Sequence, residues 1–382
     1  MLRGSLVMQA VLLSVVLLSS ATCILEAQAT PATSLLVLAK RDRSLAIVDP
    51  TSLKVVARVP AGPDPHEVVA SLDGRFAFIS NYGFGAYNTL SIVDLVGQEP
   101  LLPIDLGALH GPHGLAFAAG KVYFTAEVNK VIGRYDPATY KVDWILGTGQ
   151  NRTHMILVSK DLDRIFTSNT VSATVSIIEK TAGGFGPPGP NGPGGPPGTP
   201  PNGPGTPLGP GTADWNETVV AVGRGSEGFD VSPDGKELWV ANAQDGTISI
   251  IDIAGKRVTR TLDANVRGAN RLKFTQDGKF VFVSCLGGEN LVVFDSSSRA
   301  DFKRIKLGRG AAGILMQPDG SRAYVACSPD NYVAVIDLKT LEIIGRIEAG
   351  REPDGLAWAT RQQHVGEKSN SGPRQGGASE SV

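Results

Sequence analysis

The sequence predicts an all-β fold, a seven-bladed β-propeller, and three observations carry that prediction. The first is local. Within Ser226–Asp252 the apolar runs Phe229–Val231, Leu238–Ala241 and Ile248–Ile251 are separated by the turn sequences Pro233-Asp234-Gly235 and Gln244-Asp245-Gly246. Runs this short, rich in Val, Ile, Phe and Trp, read as strands rather than helices. A fourth strand, Arg257–Leu262, completes an antiparallel meander. The second observation is periodic. The third strand of each unit ends in an acid, at Asp49, Asp94, Asp136, Glu179, Asp252, Asp295 and Asp337, with spacings of 45, 42, 43, 73, 43 and 42 residues. Four strands recurring at such a period are the signature of propeller blades. The third observation is that the two ends complement each other. The first repeat, Leu35–Gly62, lacks an innermost strand, and Arg351–Thr360 reads as an innermost strand with nothing after it. The C-terminus is therefore expected to supply the innermost strand of blade one, closing the ring without a free sheet edge.

The repeat motifs V-S-P-D-G-K-E-L-W-V-A-N, T-Q-D-G-K-F-V-F-V-S-C and Q-P-D-G-S-R-A-Y-V-A-C, with third strands such as Val333–Asp337, resemble the YVTN-repeat β-propeller family over residues 35–360. The resemblance implies the fold. It implies no single chemistry, because that family is defined by its repeat.

Along the chain, residues 1–29 read as an export signal: Arg3, an apolar run Leu6–Leu18, then Ala27-Gln28-Ala29 as a small-x-small cleavage site. Cleavage would leave no transmembrane span and a periplasmic or extracellular protein. Residues 181–214 form a Pro/Gly-rich insert within blade four, too poor in apolar side chains to order itself. The strand pattern resumes at Thr218–Val222, and residues 361–382 read as a polar, disordered tail. Cys285 and Cys327 occupy the same register in blades six and seven, which are expected to splay apart beyond disulfide reach. There is no C-x-x-C-H, so no covalently attached c-type haem is expected. A net charge of −1 argues against nucleic acid as the main partner.

The chemistry-bearing residues gather at one mouth of the ring. Aligning the repeats on their D-G turns places His66, His113, His154, Glu227, Asn270, Ala312 and Asp354 at equivalent positions at the start of the innermost strands of blades two to seven and one. Three of the five histidines of the chain thus share one register on consecutive blades. Asn81, Glu127, Asn169 and Asn242 are read as the ends of the second strands on the same mouth, with Glu127 an acid at an Asn position. Arg152 and Arg271 flank the register, each poised either to clamp an anionic ligand or to balance a carboxylate such as Glu227. Tyr82, Phe84 and Tyr87 form a candidate aromatic wall.

Two readings of this cluster stand side by side. His66, His113, His154 and Glu227 suit a transition metal (Zn, Cu or Fe), with Glu227 as fourth ligand or general base. Otherwise the mouth is a hydrated polar surface whose histidines bond to backbone or water. Function divides accordingly. The first class is an exported propeller holding a small-molecule or protein ligand at the channel mouth, through residues such as Asn81, Tyr82, Glu127, Arg152, Asn270, Arg271 and Asp354. The second is a metal-dependent oxidoreductase, lyase or lactone hydrolase.

Overall fold

The computed structural model describes residues 28–181, 214–266 and 268–361. They form seven four-stranded antiparallel sheets arranged as a ring, with no α-helix among them. Each sheet runs outward from its innermost strand in chain order, except that of blade one. There Pro353–Thr360 is the innermost strand, pairing with Thr33–Ala39 through Leu35↔Trp358 and Val37↔Leu356. The C-terminus therefore closes the ring, as the incomplete first repeat requires. Of the expected signal segment 1–29, residues 1–27 lie outside the described residues; Gln28–Thr30 lie against blade two, where the Thr30 hydroxyl donates to the Leu95 carbonyl at 2.5 Å. No helix among the described residues is long and apolar enough to cross a membrane.

The core is seven apolar clusters, one at each blade–blade interface. Side-chain alternation along the second strands explains this. In Glu237–Asn242, Leu238 and Val240 pack toward blade four while Trp239 and Ala241 pack toward blade six. Both faces of the inner strands are buried, so these strands read as unbroken apolar runs. The recurring acid has a local cause. Asp49, Asp94, Asp136, Asp295 and Asp337 each accept backbone N–H bonds from the turn two or three residues on, fixing the link between third and fourth strands. Blade four carries Glu179 there because no turn follows. Its third strand continues to Thr181 and pairs with Asp214. The fourth strand is Asp214–Ala221, four residues earlier than Thr218. The Pro/Gly-rich segment 182–213 lies outside the described residues, as does 362–382. The points where it leaves and rejoins blade four are on the face opposite the histidines. No disulfide joins Cys285 and Cys327, both of which are buried.

Candidate functional site

A bulge repeated in all seven blades builds the mouth. Each innermost strand loses register after its first residue: Pro65 pairs with Asn81 but Val68 pairs with Ile79, so His66 and Glu67 together oppose Ser80. The same two-against-one step occurs at His113–Gly114, His154–Met155, Glu227–Gly228, Asn270–Arg271, Ala312–Gly313 and Asp354–Gly355. A bulge turns its extra residue out of the ladder, and here it turns the predicted register into the mouth. In four blades a hydroxyl on the opposing strand satisfies the displaced backbone N–H: Ser80 for Glu67, Thr125 for Gly114, Ser168 for Met155 and Ser284 for Arg271. Adjacent bulges touch closely. A Cβ on Gly114 would sit 2.5 Å from the His154 carbonyl oxygen.

Two further registers complete the rim. The residue just before each innermost strand is left-handed in every blade (Asp64, Gly111, Arg152, Gly225, Gly268, Gly310 and Glu352). The residue just after each second strand donates its N–H to it, placing Lys40, Tyr82, Glu127, Thr170, Ala243, Leu286 and Ser328 around the mouth. Glu127 therefore does not occupy the Asn position. Ala126 does, pairing with Pro112 as Asn81 pairs with Pro65, and Glu127 is the following residue. That one-residue offset is why it faces the cavity. The true Asn positions turn into their blades: Asn81, Asn169 and Asn242 each donate to two hydroxyls of the third strand, such as Thr89 at 2.8 Å and Ser91 at 3.0 Å from Asn81.

The three histidine rings converge. Their centroids are 4.8 Å apart for His66–His113 and 3.7 Å for His113–His154. His113 and His154 are 1 % and 3 % exposed, and Glu127 is 7 % exposed. His154 lies between two carboxylates, donating from Nδ1 to Glu127 Oε1 and from Nε2 to Glu227 Oε2 at 2.7 Å. Burial opposes a charge on this imidazole, but the attraction of Glu227 and the hydrogen bonds to Glu127 and Glu227 outweigh it and push its pKa up to about 9. Glu227 is likewise held at about 2 against its burial by the His154 charge and hydrogen bond and by Arg271. Burial, with the neighbouring charge on His154, keeps His113 neutral. Glu127 Oε2 accepts from the Tyr82 hydroxyl at 2.6 Å and from Arg152 Nε at 3.1 Å, while Arg152 Nη2 donates to Tyr82 at 2.7 Å. Burial, followed by the Glu127 contact, raises the Tyr82 phenol well above its ordinary range.

Both arginines are already engaged, so neither is a free clamp for an anion. Arg271 donates to Glu67 across the channel from blade six to blade two and stands 4.0 Å from Glu227. Asn270 accepts from Arg271 at 3.3 Å. Lys40, which the sequence reading did not single out, lies 3.2 Å from His66 Nε2 and 3.3 Å from Asp354. Glu67 and Asp64 were also missed. Asp64 and Glu67 flank His66 in the histidine register, and Lys40 follows the second strand of blade one as Glu127 follows that of blade three. Phe84 packs on Tyr82 at 5.3 Å and is otherwise exposed, so of the aromatic loop only Tyr82 enters the buried network. The cavity enclosed by these groups is about 370 Å³. Blades one to six supply its polar and charged wall, Asn270 and Arg271 of blade six included; Leu286 of blade six with Ala312, Ser328 and Pro329 of blade seven form a plainer patch. One grouping of potential metal donors lies at the mouth among the described residues. His113, Glu127 and His154 present donor atoms within 4.8 Å of one another, whereas His66 and Glu227 fall outside that triangle.

No protein-family model matches the chain, and no curated protein matches its sequence. Solved structures do resemble it. A functionally unknown protein from Desulfotomaculum acetoxidans superimposes with a TM-score of 0.66 at 13 % identity, covering 86 % of this chain and 99 % of the other. A putative 6-phosphogluconolactonase from Bacteroides uniformis gives 0.64 at 15 % identity, covering 85 % and 99 %. A dihydro-heme d1 dehydrogenase gives 0.58 at 14 % identity, covering 86 % and 75 %. Likeness at these identities establishes the propeller fold.

Proposed function

We propose that this chain is an exported, YVTN-type propeller that captures a small molecule in the cavity at the mouth of its ring. One observation carries the reading: mutually bonded, largely buried charged groups from blades one to six surround a cavity of about 370 Å³, the size of a small-ligand pocket, beside a plainer patch at Leu286, Ala312 and Pro329. The fold does not need these groups. Blade seven builds the same bulge with Ala312 and Gly313, so the histidines, Glu127 and Glu227 serve something other than the ring. Glu67 and Arg271 meet across the channel one residue further along the innermost strands, which favours a pocket over a through-pore.

A ligand seated here meets donors from Arg152 and Lys40, the imidazole of His66 and the carboxylate of Asp354 on one side. Leu286, Ala312 and Pro329 meet its apolar part on the other. Export is supported by the composition of residues 1–29; N-terminal sequencing of the secreted or periplasmic protein should begin at Thr30. The binding reading is tested by non-denaturing mass spectrometry of the protein purified from its native host, alongside Ala312→Trp, which fills the plainer patch. A small-molecule adduct in the parent that is absent from an equally stable Ala312→Trp supports it. Failure to retain any adduct, together with no thermal shift from a panel of carboxylates, sugar phosphates, amines and lactones, overturns it.

A further inference from the structure

We propose that the mouth holds one divalent transition-metal ion, Zn²⁺ by its donor set, on His113, His154 and Glu127. The inference rests on the donors themselves and adds a cofactor to the cavity described above. These three residues, from blades three and four, are all buried, and each offers a donor atom within 4.8 Å of the others. Two imidazoles and a carboxylate match the borderline character of Zn²⁺, which takes such ligands at roughly 2.0–2.2 Å. Side-chain adjustment closes the triangle onto one ion.

Three independent features point the same way. First, His113 is 1 % exposed and its Nδ1, like that of the less buried His66, has no hydrogen-bond partner among the described residues. A buried polar atom left without a partner is unfavourable, and a metal ion is a partner that removes this penalty. Second, the other atoms of the donor residues are already held as metal ligands usually are. Glu127 Oε2 is fixed by Tyr82 and Arg152, and His154 keeps Glu227 on its second nitrogen at 2.7 Å. Third, the mouth stays net negative without a metal, even with the His154 imidazolium counted. Five carboxylates face the mouth (Asp64, Glu67, Glu127, Glu227 and Asp354) against three permanent cations, Lys40, Arg152 and Arg271. A dication on neutral imidazoles supplies the difference. With three protein ligands, the remaining coordination position faces the cavity, the arrangement of metals that bind water or substrate.

His66 is outside the set. Its Nε2 accepts from Lys40 at 3.2 Å, and its ring lies tilted at 56° to that of His113. That distinction makes the proposal sharp. The untagged full chain should be stripped with a chelator, then titrated with Zn²⁺ and, for a visible spectrum, Co²⁺. The expected result is one ion per chain, with intense Co²⁺ d–d bands and a raised melting temperature. His66→Ala should bind normally. His113→Ala and Glu127→Gln should lose binding, and Tyr82→Phe should weaken it about 10–100-fold. Glu127→Gln is nearly isosteric and guards against misfolding in the alanine variant. Ala312→Trp should retain the metal, which separates this proposal from the ligand reading. No Co²⁺ spectrum and no thermal shift in the parent, or equal binding in His113→Ala, overturns the proposal.

Discussion

The metal-free protein should show a pH-dependent contribution to stability from the bracketed His154. Its imidazolium is bracketed by Glu127 and Glu227 in a site almost closed to water. A folded-state pKa near 9 against about 6.5 in the unfolded chain corresponds to about 3 kcal/mol. The sign follows from the proton being held more tightly by the folded protein. This contribution is fully present below pH 6.5 and is lost as pH rises through 9. Glu227 acts at the other end. Its depressed pKa, about 2 against 4.5, contributes above pH 4.5 and is lost as pH falls through 2. Both describe the same interaction, so their magnitudes are not added. Stability from this site therefore forms a plateau between about pH 4.5 and 6.5. The assay is urea unfolding with chelator at pH 6 and pH 9.5, for the parent and His154→Gln. Subtracting the variant removes every other titrating group. The difference should shrink by about 3 kcal/mol between the two pH values. A difference that stays constant would refute the electrostatic account of the bracketed imidazolium, leaving only packing and neutral hydrogen bonds.

Other perturbations should behave as follows. Truncation before Pro353 removes the innermost strand of blade one and should prevent cooperative unfolding in calorimetry, whereas truncation after Arg361 should leave the transition intact. Replacing residues 183–211 by a short turn should change the melting temperature little, since Thr181↔Asp214 pairing remains and loop closure varies by only about 0.6 kcal/mol per doubling of length. Mouth binding should also persist, because the strand ends carrying the insert face away from the histidines. Gly313→Ala should destabilise by roughly 2 kcal/mol in urea unfolding, because its Cβ would meet the Asp354 carbonyl oxygen at 2.2 Å; a neutral outcome would mean that the bulges are not in tight contact.

The ring was legible in the sequence because its causes are local and repeated. Asp49 and its equivalents mark the same turn in five blades, and the apolar runs mark strands buried on both faces. The histidine register was legible for the same reason: a repeat aligned on its turn aligns everything at a fixed distance from it. What the sequence did not disclose is direction. Glu127 and Asn81 differ by one residue in register, and in a strand one residue exchanges the blade interior for the mouth. The bulges were also hidden. Nothing in P-H-E-V-V or A-N-R-L-K announces that two residues oppose one, although in four blades the Ser or Thr before the second-strand end is the hydroxyl that accepts the displaced N–H. The sequence leaves Arg271 either clamping an anionic ligand or balancing Glu227, whereas its nearer partner in the structure is Glu67, 204 positions away in sequence. Such pairings depend on ring closure, which no local pattern encodes.

That long-range pairing ties the chemistry to the closure of the ring. Glu67 of blade two meets Arg271 of blade six, Arg271 neighbours Glu227 of blade five, and Glu227 binds His154 of blade four. His154 binds Glu127 of blade three, and Glu127 binds Tyr82 back on blade two. The chain of charged contacts thus begins and ends on one blade, passing beneath and beside the cavity. The links are buried or largely buried, where an unpartnered charge is far more costly than at a surface. Opening the ring at Pro353–Thr360 would separate blades one and seven, on the side that this chain of contacts does not cross. This chain of contacts therefore depends on closure through the positions of blades two to six, while Asp354 of the closing strand reaches the site directly beside Lys40 and His66. The fold holds the blades in register, and the charged residues select the geometry of the mouth within that register.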